Sequence, residues 1–483
     1  MQHTRHIAII DELLNLPAET TWVEFKNGNE DPDRIGKTIS ALANGARLAD
    51  RPMGYLVWGV EDANRTIVGT QFEPSTASGK GSQPLEIWLG RMVDPCPALA
   101  FHVIPHPQGR VVLLEIPPAT HAPVAFERQA YIRIGSSVTR LSDHRDREKA
   151  LWAKLQTFAW EQGIAIPFIT SEEVISTLDY PSYFTLTNQP LPESADVILN
   201  KLQDDRLIDK DAGGRWNILN LGAILFSRQI NSIDRLSRKA VRVVDYEGRD
   251  RTRTRRRWDM PEGYASGFAN LLATVNSMLP ANEHIGQAFR EERRVYPEIA
   301  VRELVANALI HQDMTVSGAG PTIEIFADRI EITNPGAPLN EPRRLIDLPP
   351  RSRNESLASL TRRMRMCEEG GTGLDKVVAS AELYQLPAPD FRAESDNMRV
   401  VMFAPRGFGE MTAAERIRAA DQHATLCYLS GSRMTNTSLR QRLGIAGQNA
   451  AQASRIIKEA LALDLIRPAD PAMPRAGYIP GWA

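Results

Sequence analysis

Short apolar runs alternate with segments of helical period twice along this chain, once before about residue 150 and again from about 285 to 405. A strand with one apolar face and a helix with one apolar stripe each need a second layer, so each stretch must close as an α+β unit. In the first, an amphipathic helix (Ile10, Leu13, Leu14) leads to WVEF at 22–25, a strand by its residue types. DRIGKTISALANGA at 33–46 sets Ile35, Ile39, Leu42 and Ala43 at helical spacing, and YLVWGV at 55–60 reads as a buried strand. EDANRTIVG at 61–69 is predicted to be a hairpin turning at Asn64, and RVVLLEIPP at 110–118 and AYIRIGSSV at 130–138 to be further strands.

Residues 150–230 carry helical patterns and end, at 194–220, in a helix followed by two short strands, a winged-helix-like element. LGAILFS (221–227) begins a new buried segment and AVRVVDYEG (240–248) reads as a strand. The second α+β unit opens on the helix PEIAVRELVANALIHQ (297–312), followed by strands PTIEIFAD (321–328) and RIEITNPG (329–336), a Pro- and Arg-rich loop and a glycine turn at 369–374. The tail, 410–483, reads as three helices and a β-wing, with a glycine-bearing turn between the last two helices. A chain of 483 residues exceeds a single core. The expected organisation is 1–150, a connector at 151–230, a module at 231–408 and a C-terminal winged helix at 409–483.

No stretch approaches the roughly 18 consecutive apolar residues of a membrane span, so no membrane partner is expected. The N-terminus has acidic residues and no small-residue cleavage site, so it does not read as a signal peptide. Cys96, Cys367 and Cys427 lie far apart with no CxxC pair, which excludes a disulfide scaffold and a cysteine zinc site and suits a reducing cytoplasm.

The net charge of −2 says nothing about partners, but its distribution does. Arg235 to Trp258 holds ten Lys/Arg against three acids, including Arg251, Arg253, Arg255, Arg256 and Arg257. Arg343 to Arg365 holds seven arginines against two acids. Each run alone could be a solvated face; together they point to an anionic partner, DNA or structured RNA.

Glu19 and Glu24 bracket the turn into the first strand, and Asp62 follows the YLVWGV strand. Acidic residues at strand ends can converge on Mg²⁺ or Mn²⁺, which take hard oxygen ligands and activate water against a phosphodiester. Lys26, two residues after Glu24, points to the same sheet face, where it could contact a phosphate. Ordinary turn residues are the alternative. The blocks ETTWVEFKNG (19–28), GKTISALANGA (36–46), GYLVWGVEDANRTIVG (54–69) and AYIRIGSS (130–137) together resemble the Schlafen AlbA-type domain, in that family's order. The resemblance implies a mixed sheet that binds nucleic acid. It also implies that Glu19, Glu24 and Asp62 stand where animal Schlafens place an RNA-cutting three-carboxylate site, whereas many bacterial members are regarded as nucleic-acid-binding or regulatory.

Glu303 and Asn307 are four apart on a helix and share a face, with His311 one turn on. A side-chain amide oxygen there could hold Mg²⁺ against nucleotide phosphates while the carboxylate orients water. EGGTGLDKV (369–377), with Gly371 and Gly373, is a glycine turn entering a helix, whose amides could cradle phosphates. A polar helix face and a flexible loop are the alternatives. In order, RELVANALIHQD, ADRIEITNPG and GGTGL resemble the GHKL nucleotide-binding fold, more narrowly the ATPase-like module of bacterial "RecG-like C-terminal" proteins. The resemblance implies an α/β sandwich that binds ATP. TNPG (333–336) stands where most GHKL proteins place an adenine-contacting Asp. The chain has no GxxxxGK[ST] loop and hence no helicase motor.

In the tail, Gln448, Asn449, Gln452, Ser454 and Arg455 gather near the start of the last helix. Such residues read base edges or phosphates in a major groove; a protein-binding winged helix is the alternative. The expected function is a nucleic-acid-binding regulatory or phage-defence protein whose ATP-binding-like module controls engagement of DNA or RNA. A metal-dependent Schlafen-like endoribonuclease is the second expectation. Self-association into a homo-oligomer is compatible with either.

Overall fold

The computed structural model describes the chain except residues 1, 17–19, 29–30, 62, 98, 121, 157–158, 211–214, 235, 286–289, 368–372 and 474–475. It is a mixed α+β protein that divides into two compact units. One comprises Met1–Ile164 with Lys210–Arg215, the other Ala165–Asp209 with Trp216–Ala483. No helix among the described residues is long and apolar enough to cross a membrane.

The first unit runs α1 (Gln2–Leu14), β1 (Val23–Lys26), α2 (Pro32–Leu48), β2 (Gly54–Trp58), α3 (Leu85–Met92), β3 (Val93–Asp94), β4 (Ala100–His106), β5 (Gly109–Ile116), β6 (Ala125–Phe126), β7 (Gln129–Ile134), β8 (Ser137–Arg140) and α4 (Arg145–Gln156). One sheet has the order β1-β2-β5-β4, another β3-β6-β7-β8. β1 and β2 are parallel, the remaining neighbours of that sheet antiparallel. Asp31 caps α2 by accepting from Asp33 N at 3.1 Å, and Pro32 occupies the first turn, where its missing N–H costs nothing. The apolar stripe of α2 (Ile35, Ile39, Leu42, Ala43) joins Leu56, Trp58, Val112, Leu114 and Phe126 in one core. Asn44 of α2 is fully buried, yet every hydrogen bond it needs is met. Its amide donates to the Val124 and Tyr131 carbonyls and accepts from Val124 N, each at 2.9 Å. That polar clasp fixes β6 and β7 beside α2.

The expected single strand at 130–138 is instead a hairpin, β7 to β8, because Gly135 adopts φ +56° in the two-residue turn. The piece at 61–69 does fold back, closed by a Val60–Ile67 bridge and by Arg65 N on Glu61 O at 2.8 Å. Sequence patterning also missed β4, whose two histidines interrupt its apolar run.

The second unit continues with β9 (Ile164–Ile169), α5 (Ser171–Thr177), α6 (Tyr180–Leu186), α7 (Ala195–Asp204), β10 (Ile208–Lys210), β11 (Trp216–Leu219), α8 (Asn220–Phe226), β12 (Arg242–Tyr246), β13 (Thr254–Asp259), α9 (Phe268–Met278), β14 (Ala281–Ile285), β15 (Arg290–Arg294) and α10 (Glu298–His311). There follow β16 (Thr322–Phe326), β17 (Arg329–Pro335), α11 (Glu355–Arg363), α12 (Gly373–Leu383), β18 (Asp390–Glu394), β19 (Asn397–Phe403), α13 (Ala413–Leu429), α14 (Asn436–Arg442), α15 (Ala450–Ala462), β20 (Ile466–Pro468) and β21 (Tyr478–Pro480). Its main sheet has the order β13-β12-β16-β17-β19-β18, antiparallel except where β12 meets β16. α10 is buried on most sides, Glu298, Ile299 and Arg302 excepted, and packs on α12 and β17. The last residues form a separate core from Ala419, Ala420 and Ala424 of α13, Leu439 of α14 and Ala453, Ile456 and Ile457 of α15.

Candidate functional site

In the first unit Glu24 sits on β1, 4% exposed, beside Leu56 of β2. Strand alternation puts Lys26 on the same face, and its Nζ lies 2.5 Å from Glu24 Oε1. The other oxygen accepts from Arg133 Nε of β7. Arg133 also donates through Nη1 to the Thr20 carbonyl at 2.6 Å. Both oxygens of this carboxylate are therefore engaged by cations. A divalent ion at Glu24 would share a site that already holds two positive charges. Glu19 and Asp62 lie outside the described residues. Sequence reasoning overlooked Arg133. Its signal was a charge inside an apolar strand, which needs a partner once buried.

In the second unit α10 presents Glu303, 7% exposed, and Asn307 one turn on, with Asn307 Nδ2 3.3 Å from Glu303 Oε1. Gly373 opens α12 directly against this pair, and a Cβ there would collide with the Glu303 carboxylate. Gly371 lies outside the described residues. The 333–336 turn is pinned to the end of α10 by Asp313 N on Pro335 O at 2.7 Å. Asn354 secures the same helix end, donating to the Ile310 and Gln312 carbonyls at 2.8 Å. Gly336, at φ +101°, leaves no room for a side chain between Arg353 and Asp313. The result is a cavity of about 770 Å³ lined by Glu303, Asn307, Gly373 and Asn334, with Arg351 and Arg362 on its wall and Ile332, Phe391 and Met398 as apolar lining. That combination suits an anionic ligand with a flat apolar part. Burial, and second the Arg353 charge, push His311 in the lining down to about 4 against a hydrogen bond that the ring donates to the Arg351 backbone, so the ring is neutral at pH 7.

The arginine runs divide by what surrounds them. In the first, Lys239 is buried and donates to the Val316 carbonyl at 2.7 Å; burial lowers it to about 8 despite the Asp313 charge. β13 is an edge strand, and its exposed arginines are ion-paired: Arg255 and Arg256 with Asp245 at 3.6 and 3.2 Å, Arg257 with Asp259 at 3.0 Å. Arg253 precedes the strand and is exposed. Charge there also discourages another chain from pairing with the edge. In the second run Arg343 pairs with Asp421 at 3.4 Å and Arg344 with Asp347 at 2.6 Å, while Arg351 and Arg362 face the cavity. In the tail, Gln448, Asn449, Gln452 and Arg455 are all exposed, opposite the buried face of α15 (Ala453, Ile456, Ile457, Ala460).

Residues 19–142 match the family model described as Schlafen, AlbA_2, and residues 318–402 the one described as "Putative ATP-dependent DNA helicase recG C-terminal". The chain thus carries both segments that its motifs resemble. The second match takes in Asn334 and Gly373, and Glu303 and Asn307 precede it. No curated protein matches the chain. A solved structure, that of the DIP2311 protein from Corynebacterium diphtheriae, aligns over 99% of this chain and 97% of its own. Its identity is 17% and its TM-score 0.42, too low to carry an argument about fold.

Proposed function

We propose that this chain is a nucleic-acid-binding regulatory or phage-defence protein whose ATP-binding-like module controls engagement of DNA or RNA. One observation carries the reading: Glu303 and Asn307 of α10 and Gly373 of α12, some seventy residues on, line one cavity with two arginines on its wall. In that reading the sheet around β16 and β17, with α10 to α12, is a GHKL-like sandwich. Asn307 would hold Mg²⁺, Glu303 would orient water, and Arg351 and Arg362 would take phosphate charge. The tail is read as a winged helix whose Gln448, Asn449 and Arg455 meet nucleic acid, with Arg253, Arg255, Arg256 and Arg257 contacting phosphates. The Schlafen AlbA_2 segment supports a nucleic-acid role for the first unit. Binding is favoured there over RNA cleavage because Glu24 is already neutralised by Lys26 and Arg133.

The test is fluorescence anisotropy of labelled duplex DNA and of a structured RNA, titrated with full-length protein with and without Mg–ATP or Mg–ADP. Nucleotide should change the Kd for at least one of them by about fivefold or more, a typical coupling between sites. Affinity that ignores nucleotide for both would contradict the proposal.

A further inference from the structure

On the first unit, away from Glu24, three side chains from three elements converge. α1 buries Ile9, Ile10 and Leu13 against the sheet, and the same face carries His6, itself 6% exposed. On β4, alternation puts His102, Ile104 and His106 on one face, towards α1. Ala100 pairs with Glu115 of β5, so Glu115 emerges on that face, diagonal to His102. One ligand atom from each of His6, His102 and Glu115 lies within 4.8 Å of the other two. The two imidazoles stack with centroids 4.0 Å apart, and His102 Nε2 is 3.3 Å from Glu115 Oε2.

We propose that His6, His102 and Glu115 bind a borderline-soft divalent cation of the Zn²⁺ class, clamping α1 to the β4–β5 hairpin. Two imidazoles and one carboxylate are a donor set that suits Zn²⁺, whereas Mg²⁺ and Ca²⁺ take oxygen ligands. Zn–N and Zn–O bonds of about 2.0–2.2 Å need donor atoms roughly 3.3–3.5 Å apart in a tetrahedron, a spacing His102 and Glu115 already have at 3.3 Å. His102, the most exposed of the three at 27%, gives the ion its entry path. Arg5 Nη2 donates to Glu115 Oε1 at 3.2 Å, which leaves Oε2 aimed at the histidines and fixes the carboxylate from outside, as outer-shell partners of metal ligands do. Three protein ligands leave a fourth position for water. His106 lies farther along the same seam, 3.1 Å from Asp11, and is not a ligand.

The test is optical titration of full-length, chelator-stripped protein with Co²⁺, followed by Zn²⁺ and separately Mg²⁺. Wild type should take up one Co²⁺ per chain with visible ligand-field bands, released by Zn²⁺ and unaffected by Mg²⁺. His102→Ala should weaken Co²⁺ about 100-fold or more, and Glu115→Gln, which keeps the shape and removes the charge, should do the same, while His106→Ala binds like wild type. Circular dichroism on each variant checks folding, and Glu115→Gln decides the case if His102→Ala unfolds. Wild type without those bands at stoichiometric Co²⁺, or variants at His102 and Glu115 that bind as wild type does, would overturn the proposal.

Discussion

Glu24 and Glu303 are both buried carboxylates beside a motif the sequence brings forward, yet their surroundings are opposite. Glu24 has a cation on each oxygen. Glu303 faces a cavity, next to an amide and a glycine that leaves it room. The first is held between two cations of its own unit; the second lines an open cavity. A carboxylate's type and spacing do not distinguish the two cases. The cavity beside one of them does.

The contrast can be broken most severely at Arg133. Arg133→Ala leaves Glu24 with Lys26 alone and should cost about 3 kcal/mol in urea denaturation of the full chain, the lower end of what breaking a buried pair costs, because one cation stays. Glu303→Gln keeps its shape beside open volume and should cost about 1 kcal/mol. Equal costs would erase the distinction. Next in size is cleavage: wild type loaded with Mn²⁺ should bind tRNA and leave it intact through a long incubation. Cutting that falls by orders of magnitude in Asp62→Asn would show the carboxylate set at work despite the cations on Glu24.

A smaller effect concerns the edge strand. Replacing Arg255, Arg256 and Arg257 with Ala should flatten the log–log salt dependence of nucleic-acid affinity by about two to three units, at roughly 0.7–0.9 per phosphate contact. An unchanged slope would mean that Asp245 and Asp259 already satisfy those arginines.

The smallest effect is on pH. His311, held at about 4 against 6.5, stays neutral while the unfolded chain protonates, so stability falls as pH drops from 6.5 towards 4. His423 is the reverse. Burial would lower it, but hydrogen bonds to Cys427 and Glu382 outweigh burial and raise it to about 9, so its contribution is present below 6.5 and lost as pH rises through about 9. Melting curves across pH should flatten on the acid side in His311→Gln and on the alkaline side in His423→Gln. Matching profiles for both variants and wild type would refute these assignments.

Local pattern is legible in the residues themselves. Period 3.6 puts Glu303 and Asn307 on one helix face, and period 2 puts Lys26 beside Glu24; both pairs meet in the fold. What stays hidden is long range or set by one backbone angle. Arg133 lies 109 residues from the carboxylate it neutralises. The run Arg343 to Arg365 carries no sign of which arginines are tied to Asp421 and Asp347 and which face the cavity. Gly135 turns an expected strand into a hairpin. The histidines of β4 obscure a strand whose polar positions face a helix.

The central claim is that the Glu303–Asn307 cavity binds a magnesium nucleotide, and calorimetry addresses it most directly. Mg–ATP and Mg–ADP are titrated into full-length wild type, Asn307→Ala and Glu303→Ala. Wild type should bind; Asn307→Ala should not, because the amide joins metal to protein. Glu303→Ala should bind but not hydrolyse, because its carboxylate acts only on water. Wild type that binds neither nucleotide, or Asn307→Ala that binds as tightly as wild type, would contradict the account.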